Sequence, residues 1–107
     1  MKVNRFEIYL VRLDPTLGSE MAKTRPCLVV SPDELAHYVR TVVVAPMTTT
    51  SKSYPFRVPC TFQGTTGSIA LDQLRAVDKS RLGKLLGLLD QPTQQVVLER
   101  LAEFFAP

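Results

Sequence analysis

Residues 6–30 read FEIYLVRLDPTLGSEMAKTRPCLVV, with a strand-like run on each side of a polar loop. The run over residues 6–13 nearly alternates and is rich in β-branched and aromatic side chains, and residues 27–30 are continuously apolar, as in a buried strand. A sheet is therefore predicted to anchor the loop at both ends. Pro26 favours an extended backbone at Arg25, which fixes the direction of a permanently charged guanidinium. Arg25 is thus a candidate anion clamp.

The middle of the chain predicts further short strands. Residues 41–45 form a β-branched run that is typical of the centre of a sheet, and Pro46 is predicted to end it. Residues 54–60 alternate apolar side chains with prolines, which cannot donate to a ladder, so they indicate an edge strand. A turn is predicted over residues 62–67 and a strand over residues 68–71.

Two helices are predicted around these strands. Ser31 has the pattern of a hydroxyl N-cap before a short helix that reaches about Tyr38. Residues 84–89 fit a last strand, with a helix as the alternative. Asp90 is predicted to cap a C-terminal helix. The apolar face of that helix is formed by Val97, Leu98, Leu101, Phe104 and Phe105.

The composition indicates one domain over residues 1–107, large enough for its own core. Many short strands with two helices predict a mainly β, barrel-like domain. No leader pattern and no apolar run of membrane-spanning length is present, which predicts a cytoplasmic protein with no membrane partner. Cys27 and Cys60 lack metal-ligand spacing and are predicted to be reduced core residues, and His37 is the single histidine. No metal and no other cofactor is therefore expected.

The positive charge is concentrated in the body of the chain. The whole sequence has a net charge of +3, while residues 2–84 contain twelve basic against seven acidic side chains. Such a body can attract a polyanion, although a balance of this size is also ordinary for a small soluble domain. The charge alone leaves nucleic-acid binding open.

Together these segments resemble the MazF/PemK family of type II toxin–antitoxin toxins. The likeness spans nearly the whole chain, with its motifs in the family's order. It is carried by residues 8–20, residues 23–26, the run that ends at Thr48, residues 52–56 and residues 72–75.

The resemblance implies an SH3-like barrel of the CcdB/MazF/PemK type, with about six or seven short strands, a short helix and an amphipathic C-terminal helix. It also implies a homodimeric, metal-independent endoribonuclease that cuts single-stranded RNA at selected sequences and thereby inhibits translation and growth. The implied partners are RNA and a cognate, MazE-like antitoxin, with DNA binding by the toxin–antitoxin complex in control of its operon.

The same resemblance assigns roles to particular residues. Arg25 and Thr48 match the catalytic arginine and threonine of the family. Asp72 matches an aspartate that a PemK-type relative uses as a base, although Ala70 and Ser19 stand where that relative has a basic residue and a histidine. The candidate substrate-binding residues are Ser19, Glu20, Lys52, Gln73 and Arg75.

Metal-free cleavage of RNA makes chemical demands that can be compared with these residues. The 2′-hydroxyl attacks, so a proton must be removed, charge on the phosphate stabilised and the 5′-oxygen helped to leave. Arg25 suits the phosphate and can donate a proton, but a guanidinium that is already protonated is a poor acceptor. Thr48 would donate to a phosphate oxygen. The base stays open between Asp72, Glu20 and the surroundings of the substrate.

Structural alternatives stand beside these roles. Arg25 could be engaged in an ion pair with Glu20 or Asp72. Residues 48–50 could be a solvated turn, and Asp72 could accept backbone N–H groups. Tyr54, Phe56 and Phe62 either stack on unpaired bases or belong to the core. At the level of the whole protein, the alternatives are a CcdB-like poison that binds DNA gyrase and a module that binds RNA without cutting it.

Overall fold

A computed structural model describes residues 2–49 and 53–107 of the chain. These residues form seven strands, two α-helices and two short 3₁₀ helices. In chain order the elements are β1 (Glu7–Arg12), β2 (Thr24–Val29), α1 (Asp33–Tyr38), β3 (Thr41–Thr48), β4 (Arg57–Phe62), β5 (Thr65–Ala70), a 3₁₀ helix (Leu71–Gln73), β6 (Arg75–Asp78), a second 3₁₀ helix (Lys79–Arg81), β7 (Leu82–Leu88) and α2 (Gln91–Phe105).

The strands form one antiparallel sheet that curls back on itself. Its order is β4-β5-β3-β2-β1-β7, and β6 pairs with β3 beside β5. The two ends of this path meet, because the Gln63 side-chain Nε2 donates to the Leu86 carbonyl at 2.8 Å. The predicted mainly β, SH3-like barrel with a short helix and a C-terminal helix is therefore confirmed.

Each face of the curled sheet carries its own apolar cluster. One cluster packs with α2 and includes Ile8, Leu28, Ile69 and Val97. The other lies on the opposite face and includes Tyr9, Val11, Cys27, Val29, Ala36 and Val44. Alternate residues of β1 and β2 belong to opposite clusters, as the two-residue period of a strand requires. The central strands are thus fixed from both sides, which holds their ends in place at the sheet rim.

The prediction that both cysteines are reduced core residues is confirmed. Cys27 and Cys60 are free and buried. Burial raises the pKa of Cys27 to about 12, against the opposing charges of Arg25 and Arg75. Burial also raises the pKa of Cys60. Both thiols therefore stay protonated at neutral pH.

The predicted N-cap at Ser31 is wrong. Pro32 occupies the N-cap position of α1, and no side chain caps the helix there. The Ser31 hydroxyl instead accepts a hydrogen bond from the backbone N–H of Val43 at 3.1 Å. The long-range bond prevails because it satisfies a donor of the central strand β3, which a local cap would leave unpaired.

The predicted end of β3 and the predicted turn after β4 also differ from the structure. Pro46 does not end β3, which continues to Thr48. On the side of β3 that faces β6 and β5, pairing with β6 ends at Val44 and pairing with β5 begins at Met47. Pro46 lies between these two ladders, so its missing N–H interrupts neither of them. The turn predicted over residues 62–67 is confined to Gln63 and Gly64, whose φ angles of 50° and 78° are typical of a two-residue hairpin turn.

The C-terminal helix begins as predicted but buries less of its apolar face. The Asp90 carboxylate accepts from the Thr93 backbone N–H at 3.1 Å and from the Thr93 hydroxyl at 2.7 Å. Val97 is fully buried, whereas Phe105 is 72% exposed and Leu98 also reaches solvent. Among the described residues, the helices are all too short or too polar to cross a membrane.

Candidate active-site cleft

A cleft of about 290 Å³ opens where β2 begins, where β3 ends and beside the β4–β5 hairpin. Among the described residues, its wall combines one cation, hydroxyl groups and an apolar floor. Residues that line it include Arg25, Thr48, Cys60, Phe62, Ser68 and Leu86. Two of the three residues predicted to be catalytic, Arg25 and Thr48, therefore share one cleft.

The strand register explains how residues far apart in sequence meet there. Cys27 on β2 lies opposite Pro46 on β3, where the pairing of these two strands ends, and Arg25 and Thr48 each lie two residues beyond that pair. Thr48 in turn lies opposite Ser68 on β5. Residues two apart on a strand point to the same face, as do opposite residues of paired strands, so Arg25, Thr48 and Ser68 lie on one face and line the same cleft. We call these three residues the cleft row.

Arg25 is half-buried and its position is fixed by the backbone. Its Nε donates to the Ala22 carbonyl at 2.9 Å. The ion pairs within residues 2–49 and 53–107 are Arg57–Asp72 and Arg100–Glu103, so neither includes Arg25. The structural alternative, an ion pair of Arg25 with Glu20 or Asp72, is therefore wrong for this part of the chain. The terminal nitrogens of Arg25 have no protein acceptor among the described residues.

The loop between β1 and β2 is held by its own side chains and by the first 3₁₀ helix. The Glu20 carboxylate accepts from the Leu17 backbone N–H at 2.5 Å, and Ser19 is exposed beside it. The Gln73 side-chain oxygen accepts from the Met21 backbone N–H at 3.2 Å. Gln73 thus ties the 3₁₀ helix to the loop.

The remaining predicted substrate-binding residues differ in their surroundings. Arg75 is half-buried and its Nη1 donates to the Leu13 carbonyl at 3.0 Å, which anchors the start of the loop. Lys52 lies outside the described residues. Ser19, Glu20, Asp72, Gln73 and Arg75 are not among the residues that line the cleft.

Asp72 is engaged in a two-pronged ion pair with Arg57. Arg57 Nε lies 2.5 Å from Asp72 Oδ1, and Nη2 lies 2.9 Å from Oδ2. Arg57 lies opposite Ala70 on β5, and the Tyr54 ring centroid is 5.0 Å from its guanidinium carbon. The hydrogen bonds from Arg57 hold the pKa of Asp72 below its ordinary value. A carboxylate in this state accepts a proton poorly at neutral pH.

Asp72→Asn is expected to lower the free energy of unfolding at pH 7 by about 1 kcal/mol, since a partly exposed ion pair is screened by solvent. The pKa of Asp72 is lowered in the folded protein, so its stabilisation is present above the unfolded value near 3.8. It is lost as pH falls through the lower folded value. Urea unfolding of both proteins between pH 7 and pH 2.5 measures this, and a difference that does not shrink with acid would contradict it.

Ser68 and Gly67 belong to the cleft although the sequence did not single out either. Ser68 is 8% exposed, and its neighbour Gly67 lies against the backbone of Thr48. A Cβ at Gly67 would overlap the Thr48 carbonyl oxygen and come within 3.0 Å of its carbon. A glycine within the predicted turn was the available signal, because a glycine in a strand often marks a close approach of two backbones.

The three aromatic residues are placed differently. Phe56 and Phe62 pack partly against the core, and Phe62 also lines the cleft. Phe56 contacts the edge of Phe104, with ring centroids 5.1 Å apart. Tyr54 is 47% exposed, with Arg57 against its ring. Phe56 therefore packs against the core, which was the structural alternative to base stacking. Phe62 presents its ring to the cleft, and Tyr54 presents its ring to solvent.

A second cleft, of about 470 Å³, lies on the other side of the start of β2. Its basic side chains are Arg12, Lys23 and Arg81. The Arg81 Nη1 donates to the Asp14 carbonyl at 2.7 Å, which fixes one of these cations. Within the described ranges, no group of three or more His, Cys, Asp or Glu residues could hold a metal ion.

The fold and the site define a small, curled antiparallel β protein with a cationic cleft. In this cleft, Arg25 has terminal nitrogens with no acceptor among the described residues and lies near the hydroxyl side chains of Thr48 and Ser68. The sequence profile of the "PemK-like, MazF-like toxin of type II toxin-antitoxin system" matches residues 4–105. The chain therefore belongs to the PemK/MazF family of toxins.

Individual relatives agree with this assignment. The chain is 39% identical over 106 residues to the endoribonuclease PemK of Escherichia coli, which covers 94% of this chain and 80% of that protein. It is 30% identical over 114 residues to the endoribonuclease EndoA of Bacillus subtilis (strain 168), with 94% and 92% covered. The crystal structure of MazF from Deinococcus radiodurans has the same fold, with a TM-score of 0.85 at 24% identity over 97% of this chain and 96% of that one.

Proposed function

We propose that this chain is the toxin of a type II toxin–antitoxin pair and a metal-independent endoribonuclease that cuts single-stranded RNA at selected sequences. The cleft row is the observation that carries the proposal. It combines a fixed guanidinium, whose terminal nitrogens lack a protein acceptor among the described residues, with hydroxyl groups on the next two strands. A guanidinium of this kind suits a phosphodiester. The names of the relatives, endoribonucleases PemK and EndoA, support the same activity.

In the proposed reaction, the 2′-hydroxyl of the substrate attacks the adjacent phosphorus. The bond to the 5′-oxygen of the next nucleotide breaks, which leaves a 2′,3′-cyclic phosphate and a 5′-hydroxyl. Arg25 stabilises the negative charge on the phosphate and can supply the proton for the leaving oxygen, while Thr48 donates to a phosphate oxygen. Histidines in a pair are not required by this scheme.

Asp72 and Glu20 have different roles in the proposed reaction. The lowered pKa of Asp72 makes it a weak base. We therefore propose that Asp72 has a positioning role, in which it binds Arg57 and helps to place the adjoining Gln73, whose side chain contacts the loop. The proton from the 2′-hydroxyl would then pass to Glu20 or to solvent. Ser19 and Arg75 remain proposed contacts to RNA, as does Lys52, on which the described residues give no information.

Binding of a polyanion is supported by the charge around the start of β2. Arg25 lies in the first cleft, and Arg12, Lys23 and Arg81 border the second. A single strand that crosses β2 between the clefts would meet cations on both sides. Affinity is therefore expected to fall steeply with added salt, since each neutralised phosphate releases counterions.

The proposal includes two protein partners. A mycobacterial endoribonuclease with a TM-score of 0.80 has been solved in complex with its cognate antitoxin. We propose that this chain likewise binds a MazE-like antitoxin that covers the cationic clefts, and that the complex binds operator DNA. We also propose a homodimer, to which the exposed Leu85 and Leu88 of the edge strand β7 could contribute buried area.

The test is incubation of purified protein with a long single-stranded RNA in excess EDTA, followed by mapping of the fragment ends. We expect cuts at a recurring short sequence, with 2′,3′-cyclic phosphate and 5′-hydroxyl ends. Cleavage that needs an added divalent ion would contradict the metal-independent chemistry. Intact RNA together with trapped gyrase–DNA complexes would favour the CcdB-like alternative, and salt-sensitive binding without cuts would favour an RNA-binding module.

A further inference from the structure

The Ser68 hydroxyl is a buried polar group with no hydrogen-bond partner among the described residues. Ser68 is 8% exposed and lines the first cleft. A buried hydroxyl without a partner costs free energy, so most such groups in folded proteins are paired. Nothing within the described fold accounts for a serine at this point of β5.

The surroundings of Ser68 are those of the proposed reaction site. Ser68 lies opposite Thr48 in the β3–β5 ladder, and Arg25, on the strand that pairs with β3 on its other side, lines the same cleft. Neighbouring strands lie about 4.8 Å apart. A phosphate above Thr48 would therefore have the long Arg25 side chain on one side and the short Ser68 side chain on the other.

We propose that the Ser68 hydroxyl donates a hydrogen bond to a non-bridging oxygen of the RNA phosphate that Arg25 holds. The inference rests on the proposed endoribonuclease function and adds a binding residue to it. Rotation about the Cα–Cβ bond moves the hydroxyl between three staggered positions. A phosphate oxygen in the cleft selects the position that faces it and supplies the acceptor that the protein lacks.

Ser31 shows how a serine with a purely structural role differs. It is as buried as Ser68, at 6% exposed, but its hydroxyl accepts from the Val43 N–H. Loss of that hydroxyl leaves a backbone donor unpaired, whereas loss of the Ser68 hydroxyl leaves none. The two serines therefore predict opposite effects of the same substitution, which makes Ser31→Ala a matched control.

The experiment compares the wild-type protein with Ser68→Ala, Ser68→Cys and Ser31→Ala by RNA cleavage kinetics, cut-site mapping and thermal unfolding. Ser68→Ala is expected to lower kcat/KM about 10- to 100-fold at unchanged cut sites, the usual effect of losing a hydrogen bond to a charged group. Its Tm should equal or exceed that of the wild type. Ser68→Cys keeps the volume but is a weak donor, so it should resemble Ser68→Ala. Ser31→Ala should lower Tm and keep its cleavage rate.

Each other outcome overturns the inference in a recognisable way. Wild-type kinetics in Ser68→Ala would show that the hydroxyl does not contact the phosphate. A lower Tm in that variant would reveal a structural partner, and recovery of activity in Ser68→Cys would point to shape rather than hydrogen bonding. Altered cut sites would mean contact with a base. If the wild-type protein does not cut RNA, the proposed function fails, and this inference fails with it.

Discussion

Arg25→Ala is expected to lower RNA cleavage by about 1,000-fold or more, the scale of effect seen when an arginine that stabilises phosphoryl charge is removed. The physical reason is that its terminal nitrogens have no protein acceptor in the described chain, while Nε is fixed by the Ala22 carbonyl. A fixed cation needs little reorganisation when charge builds on the phosphate. Single-turnover cleavage of a short RNA that contains the mapped cut site measures the loss.

The controls separate this effect from folding and from net charge. Arg25→Ala loses one hydrogen bond, which costs about 1 kcal/mol of unfolding free energy and leaves the barrel folded. Arg100→Ala removes the same charge from an exposed pair on α2 and should cleave at the wild-type rate. Arg25→Lys keeps the charge but loses the two-pronged geometry, so it should recover only part of the activity. Near-normal cleavage by Arg25→Ala would remove this arginine from the mechanism.

Gly67→Ala is expected to lower kcat about 100-fold, although Gly67 contacts no substrate in the proposed site. An added Cβ would overlap the Thr48 carbonyl oxygen and lie 3.2 Å from Thr49 Cα. The end of β3 must then move by roughly 1 Å, and a displacement of this size in a catalytic group costs about 10²-fold in rate. Cleavage kinetics under saturating RNA provide the measurement.

A stability loss alone must be distinguished from this displacement. Overpacking at Gly67 should also lower the free energy of unfolding by about 1–3 kcal/mol. Gly64→Ala is the matched control, because its φ of +78° makes alanine unfavourable while no atom lies within 4 Å of the new Cβ. It should be destabilised with its cleavage rate intact. Equal kcat for Gly67→Ala and the wild type would show that Thr48 need not be held so closely.

Arg25 and Asp72 together show how much of the candidate site can be predicted from the sequence. Arg25 precedes a proline at the start of a strand, so local chain geometry predicts where its side chain leaves the backbone. Asp72 directly follows an apolar strand, and this position also made it a candidate site residue. Its partner Arg57 is fifteen residues away on the neighbouring strand and becomes its neighbour only through the β4–β5 register. The sequence around Asp72 does not specify that register.

Ser31 and Ser68 make the same point for hydroxyl groups. Ser31 follows an apolar strand and Ser68 lies within β5, and the sequence favours a helix cap for Ser31 and gives no role for Ser68. In the fold, Ser31 pairs with Val43 on β3, and Ser68 reaches the cleft without a partner in the described residues. Which polar group is satisfied depends on contacts between strands, and the sequence at each serine does not specify those contacts.

The sequence alone predicts six of the seven strands of the described residues, the C-terminal helix, the buried cysteines and the family, because side-chain periodicity, capping residues and motifs are local properties of a chain. The short strand β6 was not predicted. Only the tertiary structure shows that Arg25, Thr48 and Ser68 line one cleft, that Gly67 must remain small beside Thr48, and that Asp72 is engaged by Arg57. These are consequences of how strands distant in sequence come into register when the sheet curls, and a shift of one residue would turn a strand side chain such as Thr48 or Ser68 to the other face.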